Sequence, residues 1–358
     1  MNRYFLYLVF LNMLTNVIIF IPKILIEDRY NGAVSGILIA IPIGLILTFF
    51  YSRALNKFPE QGITDIPKRS RVWLKNIYLG FIQILWFSAG LITLVGFIDI
   101  ISRFINPDIP KLLLLLIYLT AVFFIILLPT DRVMYFLEIV LILCVPLIGF
   151  IILKAVTTKF LSWDSILEVG TYILIRPTLK SIAAATYVFT GYTNLIIFNR
   201  LIKEKLKLRN YLFVLFLGIV NLMTTFFIPI GIHGSDGAQE LLYPWISTSD
   251  SLRLPYGPIE RVIFIFLMLY MVISLMSISI HWHISLELVK GIFKKRVPKL
   301  FNWSILSAYT VISIVGVIYL NTLLLNRLTV YWLIIRFFSE ITVVLVFCFW
   351  AKRRTADV

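Results

Sequence analysis

The feature that most constrains this chain is a succession of uncharged apolar runs close to the length of a bilayer crossing, of which 112–128 (LLLLLIYLTAVFFIILL) is typical. Crossing about 30 Å of hydrocarbon takes about 20 apolar residues as a helix, and no water is present there to satisfy an open backbone. A membrane β-barrel would alternate apolar and polar residues in strands of about 10, and that alternation is absent. With 60% hydrophobic and 14% charged residues and a mean hydropathy of +0.95, the chain departs far from soluble composition. The runs predict an all-α integral membrane protein, a single membrane domain over 1–358 with ten transmembrane helices. They fall near 4–22, 33–51, 74–98, 112–128, 133–153, 180–198, 211–230, 260–281, 304–322 and 330–350. The first run follows Arg3, as in a signal peptide, but it is long and no small-residue cleavage site follows, so it reads as the first span.

A formal net charge of +15 would suit nucleic acid, yet the Lys and Arg residues are split among short loops and form no basic domain. Their distribution instead orients the chain. With the N-terminus inside, 21 of them fall on inner segments, 11 in outer loops, and Arg336 within a span. The positive-inside rule therefore places both termini in the cytoplasm. Cys144 and Cys348 lie in apolar spans and read as packed hydrophobes rather than a disulfide or metal pair.

Two outer loops are long, 154–179 and 231–259. The first mixes apolar and charged residues and suits a segment lying flat at the interface. The second carries Gly231, Gly234, Gly237, Pro244, Pro255, Gly257 and Pro258, and reads as a lid or cap.

Ten spans divide into two sets of five, roughly 1–153 and 180–350, and an odd number per set inverts one half relative to the other. That is the 5+5 inverted-repeat, leucine-transporter-like plan, in which the first helix of each half is interrupted at mid-membrane and offers backbone and polar groups to a substrate. Span six reads AAATYVFTGYTNLIIF over 183–198, and its Thr186, Thr190 and Asn194 recur every four residues beside a stripe of Ala183, Tyr187 and Gly191. Span one has Asn12, Thr15 and Asn16 on one face. Hydroxyls bonding back to their own helix, and small residues that let helices approach, would give similar stripes. The paired occurrence favours two walls of a ligand cavity, with Gly191 as the break point. Neither wall carries a fixed charge.

The eighth span adds Tyr270, Ser274, Ser277 and His281 on one face, and Ser274 joins the ligand-binding candidates. His281 and His283 read as interface histidines near the cytoplasmic end, and His233 as a loop residue without a visible partner. Charges within spans are Asp99, Glu138, Arg336 and Glu340. Each is costly in hydrocarbon and is expected to face the bundle interior. Arg336 and Glu340, spaced i and i+4, can pair on one helix face, as a structural ion pair or as a gate or ion-coupling group. Asp99 can pair with Arg103, whereas Glu138 has only Arg132 and water in view. No phosphate loop, metal-spaced cluster or nucleophile motif appears, so no catalytic residue, metal or cofactor is expected and an enzyme is not.

The segments TNVIIFIPK closing the first span, DRVMYFLEIVLILCVP in the fifth, FTGYTNLIIF in the sixth and PIERVIFIFLMLY opening the eighth, over about 360 residues with almost no soluble tail, resemble the B-subunit, permease-like family of endospore germination receptors. That family belongs to the amino acid–polyamine–organocation transporter superfamily. The resemblance implies a spore inner-membrane protein that senses a small nutrient, an amino acid foremost, and works with a larger A subunit and a lipoprotein C subunit to trigger germination. It implies ligand contacts at the middles of spans one and six, here Asn12, Thr15, Asn16, Thr186, Tyr187, Thr190, Gly191 and Asn194. Related proteins often carry glycine in the first span where this chain has Thr15 and Asn16. The alternative is a stand-alone secondary amino-acid transporter coupled to H⁺ or Na⁺, motivated by Glu138 and the Arg336/Glu340 pair.

Overall fold

The computed structural model describes residues 3–16, 20–65, 72–255, 259–293 and 299–356. Among them the chain is predominantly helical and has no strand. The helices are α1 (Arg3–Asn16), α2 (Ile21–Glu27), α3 (Ala33–Leu55), α4 (Val72–Phe104), α5 (Lys111–Ile126), α6 (Thr130–Val156), α7 (Trp163–Gly170) and α8 (Leu179–Tyr187). After a 3₁₀ turn over Thr190–Asn194 come α9 (Leu195–Phe198), α10 (Leu208–His233), α11 (Ser235–Glu240), α12 (Pro244–Ser251), α13 (Val262–Phe293), α14 (Lys299–Tyr319) and α15 (Thr322–Ala356).

Seven of these (α3, α4, α6, α10, α13, α14, α15) are long and apolar enough to cross a membrane. Two bent pairs bring the count to nine: α1 with α2 at 55°, and α8 with the segment Thr190–Leu201 at 59°. The expected fourth span is the shorter apolar helix α5, of 16 residues. Residues 17–19 of the TNVIIFIPK segment lie outside the described residues, as do the basic stretches at 68–71 and 294–298.

Burial sorts the helices. The most apolar window of α4 is 78% buried and that of α13 is 67%, against 22% for α6 and α14. The first two form the centre of the bundle, and the last two turn side chains such as Leu143, Val311 and Val315 outward, as lipid-facing helices do. Along the central pair, Gly90 leaves the space that Trp282 fills, Trp282 Nε1 donates to the Phe87 carbonyl (3.1 Å), and Gln83 Nε2 donates to Ser285 Oγ (3.0 Å). At 33 residues and about 1.5 Å per residue, α4 is near 50 Å long and outruns the hydrocarbon.

Both bent pairs are pinned at their ends. Asp28, just past α2, accepts from Thr178 (2.6 Å) and Ser181 (2.7 Å) and pairs with Lys180 (2.8 Å), while Thr178 also caps α8. Gly32 has φ +85°, and the Arg176 carbonyl lies where a Cβ would sit, so only glycine fits. Beyond the second break, Asn199 Nδ2 donates to the carbonyls of Phe58 (2.7 Å) and Gln61 (2.9 Å), and Arg200 pairs with Asp65 (3.2 Å) and Glu287 (3.0 Å).

The long loops fold into short helices. In 154–179, Ser162 caps α7, which leaves Trp163 and Leu167 exposed. In 231–259, α11 and α12 cover one end of the bundle. Buried Arg29 pairs with Asp236 (2.7 Å) and bonds Gln239, and Tyr243 donates to Asp99 (2.9 Å).

Candidate functional site

Span six is broken because its backbone leaves the α-helical pattern between α8 and the 3₁₀ turn. The break falls at Val188 and Phe189, earlier than the expected Gly191, and none of the three carries a positive φ. Phe189 is fully buried and fills the space beside Gly44 of α3 and Gly218 of α10, which wedges the chain at the bend. Gly191 has another role: a Cβ there would lie 2.5 Å from the Leu8 carbonyl oxygen and 2.5 Å from Val9 Cα. The glycine therefore sets how closely the 3₁₀ turn approaches α1.

Asn12 of α1 is buried and donates through Nδ2 to the carbonyl of Tyr187 (2.6 Å) and weakly to that of Val188 (3.5 Å). It satisfies backbone that the break leaves without helical partners. Thr15 bonds back to the Leu11 carbonyl (2.9 Å) and Asn16 to that of Asn12 (2.7 Å). Asn194 accepts from Trp86 Nε1 (2.9 Å), which ties span six to α4.

The expectation of an uncharged cavity is revised by α15, which brings both members of its ion pair to the wall of span six. Arg336 and Glu340 are each 5% exposed and bonded to each other. Arg336 also donates to Thr190 Oγ1 (2.8 Å), Thr186 Oγ1 (3.3 Å) and the Ala183 carbonyl (2.5 Å), and its guanidinium sits 4.9 Å from the centroid of the Tyr187 ring. Glu340 accepts from Thr190 Oγ1 (3.2 Å) and from the phenol of Tyr192 (2.5 Å). A charge in a low-dielectric interior persists only when paired and hydrogen-bonded, and this pair is surrounded by donors and acceptors from the broken segment.

Two small cavities adjoin this cluster. One, of about 40 Å³, is lined by Trp86, Thr193, His281, Ser339, Glu340 and their neighbours; the other, of about 20 Å³, by Thr15, Asn16, Phe20, Thr93 and Thr329 among others. Tyr187 and Trp332 line both, and their rings meet edge to face with centroids 5.3 Å apart, so the pair partitions the two spaces. Each volume holds a few waters at most.

Of the expected residues, Thr15, Asn16, Tyr187, Thr190, Arg336 and Glu340 line the two cavities, while Asn12, Thr186, Gly191 and Asn194 lie beside them and line neither. Ser274 lies apart, hydrogen-bonded to Tyr118 (2.7 Å) and absent from both linings. Glu138 is also apart, and its partners are Arg3 (2.9 Å) and Tyr7 (3.3 Å) of α1 rather than Arg132. His281 and His283 are buried, since α13 continues ten residues past His283 to Phe293. His281 bonds the Ser277 carbonyl (2.7 Å), and His283 lies between the Ile126 carbonyl (3.0 Å) and Thr130 (3.0 Å). Trp86, Thr193, Trp332 and Ser339 are cavity residues that sequence reasoning passed over; the pairing of α4 and α15 across span six has no periodic signature in any one segment.

A family model described as spore germination protein matches residues 2–327. The chain belongs to the spore germination protein family. No curated protein matches it. In the family's terms it is a multi-pass, permease-like membrane protein related to germination, and the family is not one of enzymes. The matched segment contains both bent pairs and ends short of Arg336 and Glu340.

Proposed function

We propose that this chain is the membrane subunit of a spore nutrient receptor, which binds a small nutrient, an amino acid foremost, between spans one and six and passes the change to an A subunit and a lipoprotein C subunit. The observation that carries this reading is the break in span six, whose buried 3₁₀ turn backs onto α1 and meets Arg336 and Glu340 at the wall of one small cavity. Counting each bent pair and α5 as one span gives ten, with the two bent pairs standing first and sixth, as two inverted sets of five require. In that plan both termini are cytoplasmic, and α11 and α12 cap the outer face.

A cavity of a few waters must widen to admit a nutrient. The Tyr187–Trp332 partition is the element that separates its two parts, and a ligand that holds the pair open shifts the equilibrium by its differential affinity for the open state. A zwitterion suits the site if the ion pair parts, its carboxylate replacing Glu340 on Arg336 and its ammonium group replacing Arg336 on Glu340. The test is a thermal-shift screen of the purified protein against amino acids, sugars and nucleosides, paired with nutrient dose response in spores. Thr190→Val and Asn16→Leu proteins that insert normally should lose both responses; an unchanged dose response would place the site elsewhere.

The second reading, a stand-alone transporter, draws on Glu340, a buried carboxylate on a cavity wall that could carry a proton. Flux of labelled substrate into vesicles that contain only this chain would favour it. Binding without flux favours the receptor.

A further inference from the structure

A space larger than either cavity beside span six opens elsewhere in the bundle. A crevice of about 200 Å³ lies between α1, α6, α10, α12 and α13, floored by Phe10 and Leu14 and closed on its far side by Trp245 and Tyr270. Its mouth is at Gly149 of α6 and Val220 of α10, both exposed on helices whose neighbouring residues Leu143 and Phe216 are also turned outward. In a membrane protein that direction is the bilayer. A Cβ at Gly149 would meet nothing within 4 Å, so the mouth is open there.

None of the sixteen lining residues is charged, yet three of them end in buried polar atoms without a partner: Asn221 Oδ1, Trp245 Nε1 and Tyr270 OH. Asn221 is 9% exposed, Trp245 1% and Tyr270 fully buried, so bulk water does not serve them. The other end of the Asn221 amide is used, since Nδ2 donates to the Met13 carbonyl (3.3 Å), which leaves the oxygen as the free acceptor. Trp245 Nε1 can only donate, Asn221 Oδ1 can only accept, and a phenol does either. A hydroxyl, with one proton and two lone pairs, can pair with any of the three. A charged head would be buried without a counter-charge, at a cost of several kcal/mol. The free volume also exceeds the roughly 150 Å³ that suffices to hold benzene in an apolar protein cavity.

We propose that this crevice binds a membrane-borne amphiphile with one aliphatic chain and a hydroxyl head, which enters sideways past Gly149 and hydrogen-bonds within the Asn221, Trp245 and Tyr270 set. The occupant touches α1, α6, α10, α12 and α13 together, and therefore contacts the helix that backs the cavity of span six. The site stands on its own lining and is independent of the nutrient reading.

The test uses the full chain in phosphatidylethanolamine and phosphatidylglycerol vesicles with a hexadecanol that carries a diazirine in its chain. After illumination and digestion, adducts should concentrate on 145–152 and 217–224. Excess hexadecanol should remove them and excess hexadecane should not. Gly149→Phe, which places a ring at the mouth where a Cβ meets no neighbour, should abolish this labelling, and Tyr270→Phe should weaken hexadecanol competition about tenfold, as loss of one hydrogen bond does. Adducts spread over all lipid-facing helices, labelling unaffected by Gly149→Phe, or equal competition by the alkane would each overturn the proposal, the last two leaving ordered water as the partner of the three atoms.

Discussion

Arg336 on α15 donates to the hydroxyl of Thr190 (2.8 Å), the first residue after the break in span six, while the same hydroxyl donates to Glu340 (3.2 Å). One threonine thus lies between the two charges of a buried pair and joins the last helix to the broken one. Removing one partner leaves an uncompensated buried charge, and Arg336→Met or Glu340→Gln should each destabilise the protein by about 3–5 kcal/mol. Arg336→Met combined with Glu340→Leu should recover most of that loss. Thermal midpoints in detergent decide the matter: a double variant no more stable than the singles would mean that the charges are not what the singles disturb.

Gly191 and Gly80 make a second comparison. At Gly191 a Cβ meets the backbone of Leu8 and Val9 at 2.5 Å, and backbone cannot move aside as a flexible side chain can. Gly191→Ala should cost about 1–3 kcal/mol by overpacking. At Gly80, within α4, nothing lies within 4 Å, so Gly80→Ala should stabilise by about 0.5–1 kcal/mol through helix propensity alone. Equal effects at the two sites would deny the close approach of α1 and the 3₁₀ turn.

Asn12 offers a third test, because its amide reaches across from α1 to the Tyr187 and Val188 carbonyls at 2.6 and 3.5 Å. Asn12→Ala strands those acceptors at about 1–3 kcal/mol. Asn12→Asp should be worse, since a carboxylate cannot donate and faces the carbonyls with like polarity. Hydrogen exchange should rise first over 188–194, the segment that the amide braces; a rise distributed evenly over the bundle would count against this role.

These residues also show how far the sequence could be read. Membrane class, helical content and the apolar segments follow from composition and run length, because hydrocarbon leaves an unbranched choice of backbone. The paired polar stripes of Asn12, Thr15 and Asn16 and of Thr186, Thr190 and Asn194 were legible for the same reason: a polar group in a span is costly and so carries information. The partners were not. Arg336 and Glu340 were visible as an i, i+4 pair, but nothing in α15 announces that it packs on span six, so the charge of the cavity was missed. Gly191 was read as the break because glycine permits unusual backbone, whereas here it permits a close neighbour, and the bend is set by Phe189 against Gly44 and Gly218. The partner of Glu138 depended in the same way on packing, which placed Arg3 rather than Arg132 beside it.

Asp99 gives the last prediction. Its carboxylate accepts from Arg103 (2.7 Å), Lys111 (2.9 Å), Thr322 (3.1 Å) and the phenol of Tyr243 (2.9 Å), so it gathers the ends of α4, α5 and α15 and the start of α12 at one point. Burial, and then the negative charge of Asp99 beside it, hold the Tyr243 phenol well above its ordinary pKa, so it remains a donor at every pH the protein meets. Tyr243→Phe removes only the tether of the cap. It should cost about 1.5–3 kcal/mol, the range for a hydrogen bond to a charged group, and raise exchange over 241–252 without changing it in α4. Asp99→Asn removes the charge that Arg103 and Lys111 share and should loosen α5 and α15 as well as the cap. Exchange measured segment by segment separates the outcomes: if Tyr243→Phe opened α5 and α15 as much as Asp99→Asn does, the phenol would be holding the end of the bundle rather than the cap alone.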